Sequence, residues 1–328
     1  MDVFVVGAQR SGTTWVQAML GAHPAVAAPQ EVGLFHRVLG PWADGFEREV
    51  ATAAAGGRER RVIGLACVLT RAELDRVQRR VLDDVSDAAR RLKPGASVLV
   101  EKTPDNALHI DLIRRLRPEA RFIHVIRDGR DVASSLLAAR TSWGGVWAPR
   151  DVQQAAERWR QYVAGAMRAR AAGDGYIEVR YEDLLDERKG PNELARLFAH
   201  CGVDVPYADV ESIHARFAFD RVAAAPDATY DSVLVGGEAA RVAVDGTREP
   251  DGFFRAGRAG TWTSWARHTQ WRFEDTAGDL LVSLGYEDDR SWCGDRSSLA
   301  RRTALGAHRG VGAVRRAAGH LLRRAVLA

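Results

Sequence analysis

The sequence predicts an α/β fold in which helices flank a doubly wound parallel sheet. Short apolar runs alternate with longer stretches whose apolar residues recur at helical spacing, as in successive β–α–β units. Polar clusters follow directly after the runs that end at Val6, Val100 and Ile126. Because ligands bind beyond the carboxyl ends of parallel strands, we expect these clusters to converge on one site.

The order of elements follows from the apolar periodicity. Strands are predicted over residues 3–6, 97–100, 121–126 and 176–180. Helices are predicted over residues 15–20, 72–92, 152–171, 193–202 and 271–285, with a further one ending near residue 116. Residues 25–31 are expected to be irregular, 37–70 are ambiguous, and 206–254 are expected to form loops and short helices, partly as a mobile flap.

Length and composition favour one domain over residues 1–295, followed by a basic tail over residues 296–328. The chain has 328 residues and 46% hydrophobic content, which is enough for one large core. Its net charge of +4 does not imply a nucleic-acid partner. The tail has arginines but no acidic residue from Ser297 onward. Its helical apolar spacing suits peripheral contact with a membrane, an acidic substrate or a partner, or alternatively a packed or solvated segment.

The compartment expected from the sequence is the cytoplasm. Cys67, Cys201 and Cys293 are widely spaced and include no C-x-x-C pair, so neither a disulfide framework nor a zinc site is indicated. A core strand is predicted directly after Met1, which leaves no room for a signal peptide, and no run of 18 apolar residues follows. Abundant arginine, alanine and glycine with little lysine is consistent with a GC-rich bacterial genome.

The first polar cluster predicts an anion site. It reads Gly7-Ala8-Gln9-Arg10-Ser11-Gly12-Thr13-Thr14, between a strand and a helix that starts with Trp15. Such a turn points backbone N–H groups and a helix N-terminus at one spot. The spacing is close to G-x-x-x-x-G-K-[ST], but Thr13 stands where that motif has lysine, and the cation is Arg10. This argues against a P-loop kinase or NTPase, which stays the alternative function.

The second cluster predicts another anion contact. Arg127 ends a strand, and Ser135 lies eight residues later, about two turns into the next helix. An arginine fork with a hydroxyl suits a second phosphate. The alternative is a surface network of arginine and aspartate with a helix cap at Asp128.

Together these clusters resemble those of sulfotransferases that use 3′-phosphoadenosine-5′-phosphosulfate (PAPS). The resemblance spans Val3 to Gly285 and includes Tyr181-Glu182-Asp183-Leu184 and the late segment Phe254–Trp262. It implies a P-loop NTPase-like fold and a cofactor site. The implied cofactor contacts are Gln9, Arg10, Ser11, Gly12, Thr13, Thr14, Trp15, Arg127, Ser135, Tyr181, Arg255 and Gly257. Trp15 would stack on adenine, or alternatively pack in the core. The late segment departs from the family pattern at Ala256, where lysine is common.

The same resemblance implies the catalytic groups. Lys102-Thr103-Pro104 lacks the histidine base of steroid and phenol sulfotransferases. Glu31 matches the glutamate base of the tyrosylprotein and carbohydrate branches. Arg10 then takes the leaving-group role and Lys102 contacts the sulfuryl oxygens, with Asp105, His36 and His109 as reserve bases. The reaction requires no metal.

The resemblance also implies a hydroxyl-bearing acceptor. A carbohydrate, glycolipid, natural product or small-molecule alcohol or phenol is expected. Residues 32–70, 140–150 and 206–250 are expected to form its wall, and the sequence carries no motif that sets the oligomeric state.

Overall fold

The computed structural model describes residues 1–55, 63–224, 233–237 and 259–294. Within these ranges five parallel strands form one sheet, in the order β2-β3-β1-β4-β5. The strands are β1 (Asp2–Gly7), β2 (Val26–Ala27), β3 (Val98–Glu101), β4 (Arg121–Ile126) and β5 (Tyr176–Arg180). The doubly wound parallel sheet is confirmed. Its order reverses at β1, so the crevice at the carboxyl end of β1 is the place where a ligand is expected.

Helices flank both faces of this sheet. Their bounds are α1 (Thr13–Gly21), α2 (Gly40–Ala55), α3 (Arg71–Arg91), α4 (Ile110–Leu116), α5 (Gly129–Thr141), α6 (Val152–Met167), α7 (Tyr181–Leu185), α8 (Gly190–His200), α9 (Tyr207–Arg216), α10 (Phe219–Ala224) and α11 (Arg267–Ser283). Short 3-10 turns cover Leu65–Cys67, Pro104–Leu108, Arg168–Gly175 and Thr261–Ser264, and a π-helical turn covers Phe35–Leu39.

The alternation of side chains along β1 divides the core into two layers. Phe4 and Val6 face the layer that contains α6 and α11, where Trp159 and Phe273 are fully buried. Val3 and Val5 face the other layer, which contains α1 and α8. A strand buried on both faces has a continuous apolar sequence rather than an alternating one, which is why the run before Gly7 predicts it so clearly.

Two elements near the site escape prediction from the sequence. β2 has only two residues, and its place in the sheet is set by pairing with β3 rather than by any local pattern. α2 buries only Gly40, Ala43 and Phe46, so its apolar stripe is faint. The segment over residues 37–70, which is ambiguous from its sequence, contains this helix of 16 residues.

Several predictions concern residues outside the described ranges. Arg255, Gly257, most of the expected flap and the tail over residues 296–328 belong to this group. Of the flap, α9 and α10 are described, together with residues 233–237. Among the described helices, none combines the length and the apolar character that crossing a membrane requires.

Candidate active site

The loop between β1 and α1 has a backbone that glycine makes possible. Gly12 precedes α1 in the left-handed conformation, with φ 93°. A Cβ atom there would lie 2.5 Å from Cδ2 of Tyr181. Arg10 also has a left-handed backbone, with φ 72°, although it is not glycine. Such a conformation is uncommon for a residue with a side chain and clusters at functional sites. The loop is therefore a tight cradle that rests on the Tyr181 ring.

Arg10 joins this loop to the second cluster. Its Nε donates to Oγ of Ser135 at 3.0 Å. Nη1 of Arg127 donates to the carbonyl oxygen of Arg10 at 3.0 Å, and the Arg127 guanidinium lies 4.2 Å from the centre of the Tyr181 ring. Four predicted cofactor residues from four separate elements thus lie together. Nε of Arg127 is shielded from solvent and has no hydrogen-bond partner among the described residues, which suits a site that receives an anion.

Glu31 and Lys102 form an ion pair beside the loop. Lys102 follows the end of β3 and is only 3% exposed, and its ammonium donates to Oε1 of Glu31. The Glu31 side chain is 46% exposed. A buried ammonium needs an anionic partner, because removing a lone charge from water is costly. The pair therefore places one carboxylate that solvent or a substrate can reach against one cation that is fixed in the interior.

A cleft of about 930 Å³ connects the loop with this ion pair. Its lining includes Lys102 and Thr103, the pair His36 and Arg37, and the pair Trp143 and Trp147. The rings of the two tryptophans lie 5.2 Å apart. Two of the three segments expected to form an acceptor wall thus contribute to the cleft.

A polar network from α6 completes the cleft, and no motif in the sequence indicates it. The Tyr162 hydroxyl donates to the carboxylate of Asp105, and Nε2 of Gln9 approaches the same hydroxyl at 3.5 Å. Nη1 of Arg158 donates to Oε1 of Gln9 at 3.3 Å and to the carbonyl of Trp147 at 2.8 Å. Burial and the neighbouring Asp105 raise the pKa of Tyr162, so its hydroxyl stays a donor at neutral pH.

Of the three reserve bases, Asp105 and His36 line the same cleft. Asp105 accepts from Tyr162, as described above. The rings of His36 and His109 lie 6.2 Å apart. Burial, followed by the neighbouring His36, lowers the pKa of His109, so its imidazole is neutral at pH 7.

Trp15 lies mostly in the core. It is 8% exposed, its indole N–H donates to the carbonyl of Phe217 at 2.8 Å, and its ring packs edge-on against Tyr181. The packing role is therefore visible in the structure, and stacking on adenine stays a prediction.

The end of the late segment lies against the start of α5. The backbone N–H groups of Gly260 and Thr261 donate to the buried Asp131 carboxylate at 2.8 and 2.7 Å. Arg255 and Gly257 precede this point, outside the described residues. The same helix carries Ser135, so Gly260 and Thr261 lie against the helix that contributes to the second cluster. In the described ranges, no group of three or more His, Cys, Asp or Glu side chains is arranged to hold a metal ion.

Comparison with known sequences places these features in one family. The sequence pattern of the sulfotransferase family matches residues 2–207. The chain belongs to the sulfotransferase family. The matched range includes the loop, Glu31, Lys102 and the second cluster, and it ends before the late segment.

Individual sulfotransferases are similar over part of their length. A putative protein-tyrosine sulfotransferase of Caenorhabditis briggsae is 28% identical over 196 residues, which are 60% of this chain and 63% of that protein. Protein-tyrosine sulfotransferase 1 of Mus musculus is 27% identical over 146 residues, 44% of this chain and 35% of that protein. The matches thus cover less than two thirds of these relatives.

A solved structure supports the fold. The sulfotransferase domain from the curacin biosynthetic pathway superposes with a TM-score of 0.51, covering 85% of this chain and 96% of that domain. The two sequences are 15% identical, so the likeness concerns the fold alone.

Proposed function

We propose that this chain transfers the sulfuryl group of PAPS to a hydroxyl of an acceptor molecule. The observation that carries the proposal is the Glu31–Lys102 ion pair, which lies in the same cleft as the loop around Arg10. One carboxylate, which would accept the acceptor proton, and two cations, which would stabilise the transferring group, line the same cleft. Membership of the sulfotransferase family supports the same reaction.

The two anion sites suit the two charged ends of PAPS. Residues 9–14 would surround the 5′-phosphosulfate, where helix α1 begins. Arg127 and Ser135 would hold the 3′-phosphate, with Tyr181 below them. The shielded Nε of Arg127, which has no described partner, fits this role. When bound, PAPS supplies a sulfuryl group on a phosphate leaving group. Arg255 and Gly257 are proposed to add to the 3′-phosphate site.

Each catalytic side chain has a distinct task. Glu31 accepts the proton of the acceptor hydroxyl as the new bond to sulfur forms. Lys102 exchanges its contact with Glu31 for the sulfuryl oxygens. Arg10 stabilises the charge that develops on the leaving phosphate, and because a guanidinium stays protonated its help is electrostatic.

The acceptor is proposed to be a carbohydrate, a glycolipid, or a small-molecule alcohol or phenol. Trp143 and Trp147 contribute two neighbouring aromatic rings to the lining of the cleft. Gln9, Arg158 and Gln161 offer hydrogen-bonding groups nearby. This combination suits a ring that carries hydroxyl groups. The relatives named protein-tyrosine sulfotransferases keep a phenol among the candidates.

We also propose that residues 1–295 form one sulfotransferase domain and that residues 296–328 form a basic tail. The tail contains eight arginines and no acidic residue. This composition favours contact with an anionic membrane surface or partner.

Two linked measurements test the proposed function. Calorimetry is expected to show that adenosine 3′,5′-bisphosphate binds and that ATP with Mg²⁺ binds much more weakly. A panel of sugars, glycolipids, alcohols and phenols with ³⁵S-labelled PAPS is then expected to give a labelled sulfate ester, identified by mass. Tight ATP binding without bisphosphate binding would instead support the kinase or NTPase alternative.

A further inference from the structure

The segment that carries Glu31 has no regular structure of its own, yet hydrogen bonds hold it both before and after Glu31. Before Glu31, Nε2 of Gln17 donates to the carbonyl of Pro29 at 2.7 Å, and the backbone N–H of Gln30 donates to the carbonyl of Leu234 at 2.8 Å. After Glu31, the chain turns at Gly33, which has φ 65°, into the π-helical turn. The backbone N–H groups at this turn need partners.

Two side chains from the end of β3 supply those partners. The N–H of Val32 donates to Oε1 of Glu101 at 3.3 Å, and the N–H of Gly33 donates to Oγ1 of Thr103 at 3.0 Å. The Thr103 hydroxyl in turn donates to Oε1 of Glu101 at 2.6 Å, so the two side chains act together. Lys102 stands between them and pairs with the Glu31 carboxylate.

A third contact fixes the Glu101 carboxylate itself. Nδ2 of Asn106 donates to Oε2 of Glu101, and Asn106 is 1% exposed. Thr103 is 4% exposed, so its hydrogen bonds are shielded from competing water. Both oxygens of Glu101 therefore accept from protein groups, and no described cation forms an ion pair with it. The hydrogen bonds of Glu101 therefore hold the segment after Glu31 in place and do not neutralise the Glu101 charge.

We propose that Glu101 and Thr103 are positioning residues for Glu31. They fix the backbone of the two residues after Glu31, and thereby set where its carboxylate lies relative to Lys102 and the acceptor hydroxyl. The inference rests on the proposed function, in which Glu31 is the base. A displacement of about 1 Å in a catalytic group is enough to reduce turnover by about 10²-fold.

Thr103→Val and Glu101→Gln test the inference. Valine keeps the shape of threonine and removes the hydroxyl, while glutamine places an NH₂ group where Thr103 or Asn106 now donates. We expect kcat to fall by about 10- to 100-fold in both variants. The Kd of the bisphosphate should change by less than about threefold, because the residues proposed to bind it lie elsewhere. Thr103→Ser, which keeps a hydroxyl, should be at least about fivefold more active than Thr103→Val.

A double-mutant comparison separates positioning from general stability. Once Glu31 is replaced by glutamine, Thr103→Val should reduce the residual rate by less than about twofold, because it acts through Glu31. Amide hydrogen exchange of residues 31–34 should also become faster in Thr103→Val.

The matched control is Glu274→Gln, which alters another buried carboxylate that accepts from the Trp292 indole, far along the chain in α11. It should lower thermal stability and leave both kcat and this exchange unchanged.

The outcomes separate this inference from the proposed function. A wild-type chain that binds no bisphosphate and labels no acceptor overturns the proposed function. An active wild type whose Thr103→Val variant keeps its kcat, or loses activity equally in the Glu31→Gln background, overturns the positioning role alone.

Discussion

The Lys102 ammonium illustrates how a single buried charge constrains the site. At 3% exposure it must keep an anionic or polar partner, and Glu31 provides one in the structure. In the proposed reaction Lys102 would exchange this contact for the sulfuryl oxygens of bound PAPS. The Glu31 carboxylate would then be available to accept the proton of the acceptor hydroxyl.

Arg127 and Ser135 carry a prediction at the same scale. Arg127→Ala is expected to weaken binding of the 3′,5′-bisphosphate by about 10- to 100-fold, because a charged hydrogen bond to an anion contributes about 1.5–3 kcal/mol. Ser135→Ala, which removes a neutral hydroxyl, should weaken it by about 3- to 10-fold. Calorimetry measures both. Arg160→Ala is the control, since it removes an exposed ion pair with Asp279 and a hydrogen bond to the carbonyl of Thr276. An unchanged bisphosphate affinity in Arg127→Ala would show that Arg127 does not bind the 3′-phosphate.

The element proposed to decide PAPS binding is the loop between β1 and α1. Its left-handed residues and the Tyr181 ring below it leave room for backbone but not for an added side chain at Gly12. The Tyr181 ring contacts both the Arg127 guanidinium and the Trp15 ring. The ring therefore has little freedom to move away.

Two alanine substitutions at left-handed glycines test this geometry. Gly12→Ala is expected to cost about 2–4 kcal/mol in the free energy of unfolding, combining backbone strain with the clash against Tyr181. It should also weaken bisphosphate binding by at least about 10-fold. Gly95 is the matched control, with φ 87° and nothing within 4 Å of an added Cβ. Gly95→Ala should cost about 1 kcal/mol and leave binding unchanged. Equal effects of the two substitutions on bisphosphate binding would contradict the proposal that the loop geometry at Gly12 is needed for binding.

Elements differ in how far the sequence determines them. β1 and β4 are predictable because each is an apolar run rich in β-branched residues that is buried on both faces. β2 depends on its partner strand, and α2 has too few buried residues to show a stripe. Within the site, Arg10, Arg127 and Lys102 are predictable because strand ends converge. The network of Arg158 and Tyr162 is not, because α6 reaches the cleft only through tertiary packing.

At the scale of the whole molecule, the sheet contains a buried titratable group. His124, on β4, is fully buried, and its Nδ1 lies 2.8 Å from the Tyr176 hydroxyl, which donates to Glu178. Burial lowers the pKa of His124 to about 4, although Glu178 acts in the opposite direction and Arg170 in the same one. The folded protein therefore keeps this ring neutral in acid that would protonate it in the unfolded chain.

This difference predicts an acid-sensitive fold. Because the unfolded chain takes up a proton near pH 6.5 and the folded protein only near pH 4, stability should fall as the pH falls through that window. The contribution of His124 is on the order of 3 kcal/mol over the full window. Urea unfolding of wild type and His124→Asn at pH 7 and pH 4.5 measures it, with the variant expected to lose less stability on acidification. Equal losses of stability in both proteins would show that other groups cause the loss of stability in acid.

The central claim is that Glu31 is the base of a sulfuryl transfer, and one comparison tests it most directly. Glu31→Gln keeps an amide oxygen that accepts from Lys102 but cannot take the acceptor proton. With ³⁵S-labelled PAPS and the best acceptor, kcat should fall by about 10²- to 10⁴-fold. The Kd of the bisphosphate should stay within about twofold of wild type. A variant that keeps most of its kcat would contradict the account.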